Sequence, residues 1–368
     1  MAAVIDESIT AVSPADAAQK PQDQKCVFVI FNPVSGQTDP EQRKKIISDT
    51  LAEHGYTCQF IATSKEEGAQ ALARKALDEG VDLLAVSGGD GTVMETMAAL
   101  VGTDIPVAVL PAGTGNLLSV NLGIPMTVPE AVDVALSGDI YELDLARYDL
   151  DGSGTGDGRY FAIMGGIGLD ARVIADADRE AKKKLGVLAY FVAAIKNLPR
   201  RRSRVEIHLD DKPPLLQRVK TVLIANMGKI TGGLEAVPTA SPNDGRLDVA
   251  IMRTETLGQW LRLLGFALMG RAQDDPSYSI HQARRVSIRT TFPEPVEFDG
   301  EEVGRVRGLT VEVVPKAVRV LVPPGAPAAE DAQGPPAVRA RERARRRFLA
   351  PALLALAALV GLWVWRRR

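Results

Sequence analysis

Four short stretches put glycines beside carboxylates, amides or hydroxyls in a pattern that suits phosphate chemistry. "SGGDGTVMETM" ends a buried apolar run, frees the backbone at Gly88, Gly89 and Gly91, and adds Asp90, Thr92 and Glu95. "FNPVSGQ" places Asn32, Ser35 and Gly36 at the end of another apolar run, and "PAGTGNLLS" does the same with Gly113, Thr114, Gly115 and Asn116. Glycine removes side-chain bulk so that backbone N–H groups can approach an anion, and a helix starting at such a corner points its positive end at the same place. A carboxylate beside those amides, Asp90, makes sense mainly with a divalent cation, directly or through water. The fourth stretch, "EFDGEEV", sets Asp299 and Glu301 on either side of a glycine, where a carboxylate could orient or deprotonate an attacking alcohol. One glycine corner is ordinary packing, and a lone Asp-Gly turn is usually a hairpin with a solvated acid. Three glycine corners at successive strand ends are harder to dismiss. None is a Walker A loop, since no Gly-Lys precedes Ser or Thr, and none is the GxGxxG dinucleotide fingerprint.

The elements around these stretches decide whether they can meet. From Lys25 to about Asp144, strand-like runs ("CVFVIFNP", "YTCQFIAT", "VDLLAVS", "IPVAVLPAG") alternate with helix-like ones ("EQRKKIISDTLAEHG", "KEEGAQALARKALDEG"). That alternation predicts an α/β domain with a parallel sheet over residues 25–150, whose strand-end loops gather in one crevice. Residues 151–322 change to many short strands, including "RYFAIMGG", "RVEIHLD", "RLDVAIMR" and "LTVEVVP", and predict an antiparallel β-sandwich. Two helical stretches interrupt it, "KKKLGVLAYFVAAIKNL" and "LGQWLRLLGFALMG".

The remaining segments lie at the ends. Residues 1–24 are polar, lack a signal-peptide core, and read as a disordered lead-in. Residues 323–344 form a Pro/Ala/Arg linker. Residues 345–368 hold "FLAPALLALAALVGLWVW" between triple arginines, which predicts a C-terminal transmembrane helix and a body at the cytoplasmic face of the membrane. A chain of 368 residues with 46% hydrophobic composition has ample core for two domains. Its formal net charge of −2 gives no global reason to expect nucleic-acid binding. Two cysteines and three scattered histidines exclude a disulfide framework and a Cys/His zinc site.

"NPVSG", "GGDGT" and "PAGTGN", in that order, resemble the catalytic domain shared by diacylglycerol kinases, sphingosine kinases and bacterial soluble lipid kinases. Further on, "MGGIGLDARV" with Asp170, "SPNDGRLDV", "EFDGEEV" and "VVPKAVRVLVP" are similar to that family's later motifs. The resemblance covers about Lys25 to Val322 and implies an ATP- and Mg²⁺-dependent kinase of a membrane lipid hydroxyl, most simply diacylglycerol. It implies that Asn32, Ser35, Gly36, Thr63, Gly88, Gly89, Asp90, Gly91, Thr92, Glu95, Gly113, Thr114 and Asn116 form the ATP site. Asp90 would hold the Mg²⁺–phosphate network, and Asp299 or Glu301 would be the base. Ser241 and Arg246, through carbonyls, and Asp244, through its side chain, would hold a second, structural Mg²⁺.

One position departs from the pattern. Leu117 stands where many bacterial diacylglycerol kinases have an Asp, so lipid kinase is the firmer expectation and the acceptor stays open. The alternatives are an NAD kinase-like phosphotransferase and a non-catalytic, membrane-tethered nucleotide or lipid sensor. The expected partners are a bilayer lipid and the membrane, with no nucleic acid and with a homodimer left open.

Overall fold

The structure, a computed structural model, describes residues 25–36, 38–150, 159–168, 203–230, 234–254, 256–268 and 271–325. The first half alternates as the sequence predicts: β1 (Cys26–Phe31), α1 (Pro40–Glu53), β2 (Thr57–Ala62), α2 (Ala69–Asp78), β3 (Leu84–Gly88), α3 (Asp90–Leu100), β4 (Pro106–Pro111), α4 (Leu117–Leu122) and α5 (Val128–Ser137). The four strands are parallel, in the order β4-β3-β1-β2. β3 is buried along its whole length, as a strand covered by helices on both faces must be. Alternate side chains go to opposite cores. Ile30, Leu84 and Val86 pack under α2, α3 and α4, whereas Val29, Phe31 and Ala85 pack under α1 and α5. Helix α1 starts where Asp39 accepts the N–H groups of Glu41 and Gln42, both at 3.0 Å, with Pro40 in the first turn.

The second half is antiparallel. Its strands are β5 (Asp139–Leu150), β6 (Tyr160–Phe161), β7 (Met164–Ile167), β8 (Ser203–Leu209), β9 (Leu215–Val219), β10 (Thr221–Ala225), β11 (Lys229–Ile230), β12 (Leu234–Glu235), β13 (Leu247–Met252), β14 (Tyr278–Ala283), β15 (Arg285–Phe298) and β16 (Glu301–Val322). Phe161, Ile167, Val222, Val249, Val286 and Val296 share its interior. Helix α6 (Leu257–Leu268) covers the other face of β10 and β13, where Leu263 meets Leu223, Ala250 and Met252.

The 22-residue β16 joins the two halves. It pairs antiparallel with β15 and β5, and near its end Arg319 and Val320 pair parallel with Pro106 and Val107 of β4. The parallel and antiparallel parts are therefore one hydrogen-bonded sheet. At the joint, Asp144 of β5 is buried and accepts the N–H of Gly245 at 2.7 Å and of Lys316 at 2.8 Å.

Two expectations change. "RYFAIMGG" is not one strand: it breaks between β6 and β7, because the N–H groups of Ala162, Ile163 and Met164 turn to the carboxylate of Asp299. The fold class also loses its transmembrane element. Among the described residues no helix is long and apolar enough to cross a membrane. The stretch that carried the expectation, 345–368, lies outside the described residues, so the anchor and the cytoplasmic-face placement that depended on it are withdrawn. The lead-in 1–24, the linker beyond residue 325, Asp170 and the helix read at "KKKLGVLAYFVAAIKNL" also fall outside them.

Candidate active site

The three glycine loops follow β1, β3 and β4, neighbouring parallel strands, and they touch. The Gly89 N–H donates to Ser35 Oγ at 3.3 Å. A Cβ added at Gly113 would lie 2.7 Å from the Gly89 Cα, and one at Gly36 would lie 2.4 Å from the Ala112 carbonyl oxygen. Asn32 ties the first loop to α3, donating from Nδ2 to Thr92 Oγ1 at 2.8 Å. Asn116, in the left-handed region at φ 46°, clamps the third loop: its Oδ1 accepts the Gly113 N–H and its Nδ2 donates to the Gly113 carbonyl. Thr63 continues from β2, its N–H on the Phe31 carbonyl, and Thr114 is exposed at the tip of the third loop.

A residue the sequence did not single out holds the first loop from behind. Arg43 of α1 is 2% exposed and its guanidinium lies 4.4 Å from the Phe31 ring centre. It donates to the carbonyls of Ser35 and Asn32, each at 2.5 Å. No motif marks it, since an Arg one turn into a helix ordinarily faces solvent.

Two acids act across elements as helix caps. Asp90 sits at the start of α3, but its carboxylate faces the start of α4 and accepts the Leu118 N–H at 3.4 Å. Burial pushes its pKa up, against the backbone hydrogen bonds. Glu95 Oε2 accepts the Ala69 N–H at 2.9 Å, supplying the cap that Gly68 cannot give α2.

Opposite these loops stands the β15–β16 turn. Asp299 at φ 49° and Gly300 at φ 90° make a two-residue hairpin loop with both central residues left-handed, which Asp-Gly suits. The Asp299 carboxylate accepts three N–H groups, Ala162 at 2.8 Å and Ile163 and Met164 at 3.0 Å. Burial raises its pKa to about 6; the three amides oppose the shift and the Asp90 charge adds to it. A carboxylate has about four acceptor sites, so one remains. Glu301 reaches α3, its Oε1 3.1 Å from where a Cβ on Gly91 would sit.

Asp299, Glu301, Gly91 and Glu95 line one cleft of ≈ 210 Å³. Its apolar wall includes Tyr148, Phe161 and Phe298, stacked with ring centres 4.1 and 4.6 Å apart. The structure thus brings the glycine loops, Asp90 and the Asp299–Glu301 turn together. Ser241, Asp244 and Arg246 lie apart, on the loop braced by Asp144. There Asp244 accepts the Arg246 N–H at 2.9 Å and Ser241 Oγ donates to Asn243. Among the described residues no three His, Cys, Asp or Glu side chains group closely enough to hold a metal by themselves.

Comparison with known proteins fits this geometry. The "Diacylglycerol kinase catalytic domain" family matches residues 26–148, and the "YegS C-terminal NAD kinase beta sandwich-like domain" matches residues 164–322. The chain belongs to the diacylglycerol kinase catalytic-domain family. It is a lipid kinase. The kinase is 30% identical over 327 residues to an uncharacterized protein of Synechocystis, covering 81% of this chain and 70% of that one. It is 28% identical over 300 residues to the diacylglycerol kinase of Bacillus subtilis, covering 80% of this chain and 95% of that one. A crystal structure of a diacylglycerol kinase from Bacillus anthracis shares the kinase's fold, with a TM-score of 0.65 and 24% identity, covering 82% of this chain and 98% of that one.

Proposed function

We propose that the kinase transfers the terminal phosphoryl group of ATP to a hydroxyl of a bilayer lipid, with diacylglycerol the first candidate. The observation that carries this reading is the Asp299 turn facing the three glycine loops. A carboxylate whose pKa is raised to about 6 is suited to take a proton near neutral pH. Asp299 removes the acceptor hydroxyl proton as the oxygen forms a bond to the γ-phosphorus. The bond from that phosphorus to the β–γ bridging oxygen breaks, and ADP leaves with the electron pair. The three glycine loops cradle the phosphates on backbone other than the Ser35, Gly89 and Gly113 amides, which hold the loops to themselves and to one another. The apolar wall of Tyr148, Phe161 and Phe298 keeps water from the acceptor.

The donor set suits a hard divalent cation. Asp90 is coupled by charge to Asp299, and both are carboxylates. Mg²⁺ characteristically takes only one or two protein carboxylates and completes its shell with phosphate and water, so a closed protein cage is not required. Asp90 would hold it, and it would supply neutralisation of phosphate charge. On the braced loop, burial of the Asp244 carboxyl, with Asp248 and Asp144 close by, pushes its pKa up to about 6 although much of the residue is exposed. A second cation at Asp244, with the carbonyls of Ser241 and Arg246, would relieve that repulsion.

The test is radiolabelled phosphate transfer from ATP to a panel of detergent-dispersed lipids, with NAD included. Labelled phospholipid supports the reading; label on NAD alone overturns it. Arg43 bears on the nucleotide half of the reaction. Lysine keeps the charge but has no planar guanidinium to lie over Phe31 and hold two carbonyls. Arg43→Lys should raise the KM for ATP about tenfold, the worth of one or two such bonds, and leave kcat and the lipid KM within about twofold. Equal effects on both substrates would place its role in general stability.

A further inference from the structure

The sheet face made by β8, β9 and the first part of β15 contributes nothing to the cleft lining, yet it carries an unusual arrangement of charge. Arg204 of β8 stands directly opposite Arg218 of β9. One step along the same face, Glu206 stands between Leu216 of β9 and Arg289 of β15. These residues alternate with the buried Val205, Ile207 and Val219, so their side chains share the outer face. Like charges directly opposite one another destabilise an antiparallel pair. Glu206, the acid among them, is already engaged by His208 Nε2 at 2.8 Å.

Two large apolar side chains accompany the arginines. Leu216 is 76% exposed, and Phe292, in the irregular stretch of β15 just after Arg289, is 67% exposed. Arginines that repel one another are offset by an anionic partner presenting several phosphates, and exposed Leu and Phe suit a partner with an apolar layer just beneath that charge. Nucleic acid meets the first demand and not the second.

We propose that this face docks the kinase on an anionic bilayer surface, the arginines pairing with lipid phosphates while Leu216 and Phe292 enter the interfacial layer. This rests on the reading above only in supposing that the acceptor lies in a bilayer. Docking needs no helix that crosses it.

The full chain is sedimented with vesicles of phosphatidylcholine alone or mixed with phosphatidylglycerol, containing no acceptor, so that binding is read without turnover. Arg204→Gln with Arg218→Gln should bind the anionic vesicles about 30-fold more weakly, two arginines' worth of surface attraction, and phosphatidylcholine vesicles unchanged. The same double variant should be at least as stable as wild type, because a repulsion has gone, and should keep its activity on detergent-dispersed lipid. Leu216→Ser with Phe292→Ser should weaken vesicle binding while leaving its salt dependence in place. Unchanged partition of the arginine variant, or no vesicle binding by wild type, overturns the proposal. So does an arginine effect seen with duplex DNA and absent with vesicles. Failure of wild type to phosphorylate any dispersed lipid would instead sink the kinase reading and leave the docking result standing.

Discussion

Asp299→Asn should lower kcat by about 10²–10⁴, the usual contribution of a positioned general base. The substitution suits the site in every other respect. Asn-Gly is as good a pair as Asp-Gly for a hairpin loop with two left-handed residues. Its Oδ1 can keep the Ile163 and Met164 N–H groups, while the Ala162 N–H is left facing an amide. ATP affinity should therefore stay within a few-fold. The mispaired donor costs stability, but an amide is spared the cost of ionising a buried carboxyl whose pKa is raised, so the melting temperature should move little. Wild-type turnover should also show an acid limb near pH 6, falling about tenfold per pH unit below it, since protonated Asp299 accepts nothing. Glu301→Gln should leave that limb where it is. If Glu301→Gln removes the limb and Asp299→Asn stays within a few-fold of wild type, Glu301 is the base and Asp299 only holds the β6–β7 turn.

What could be read from the sequence follows from how local the cause is. The parallel sheet was legible because apolar runs and helical stretches alternate at short range, and the meeting of the glycine loops follows from strands that share a direction. The Asp-Gly turn was legible because its backbone requirement is met by two adjacent residues. Effects that act across the fold were hidden. Nothing near Arg43 shows that it will lie over Phe31 and hold two carbonyls of a distant loop. Glu95 reads as a ligand-facing acid and does line the cleft, but nothing local shows that its carboxylate also caps α2, 26 residues earlier in the chain. Gly89 is a further instance. Its φ of −88° is open to any residue, and a Cβ there would meet Gly113 Cα at an ordinary 3.5 Å. The tighter position is Gly113, which only the folded contact reveals.

Asp90→Asn should cost about 10²–10³ in kcat, comparable to removing one electrostatic contact to a developing charge. Its shape is unchanged, and Oδ1 can still accept the Leu118 N–H, so α4 keeps its cap. Stability should hold or rise. The folded carboxyl has a pKa above its ordinary value because it is buried, so ionising it costs stability as pH climbs out of the carboxylate range; an amide is spared that cost at neutral pH. A loss of turnover with a retained or raised melting temperature therefore separates chemistry from folding. Wild-type activity should vanish on chelation and return with Mg²⁺. The variant should need more Mg²⁺ for half-maximal rate, because the proposed ligand has lost its charge. An Asp90→Asn protein with near-normal turnover and an unshifted Mg²⁺ requirement would leave Asp90 as the cap of α4 and nothing more.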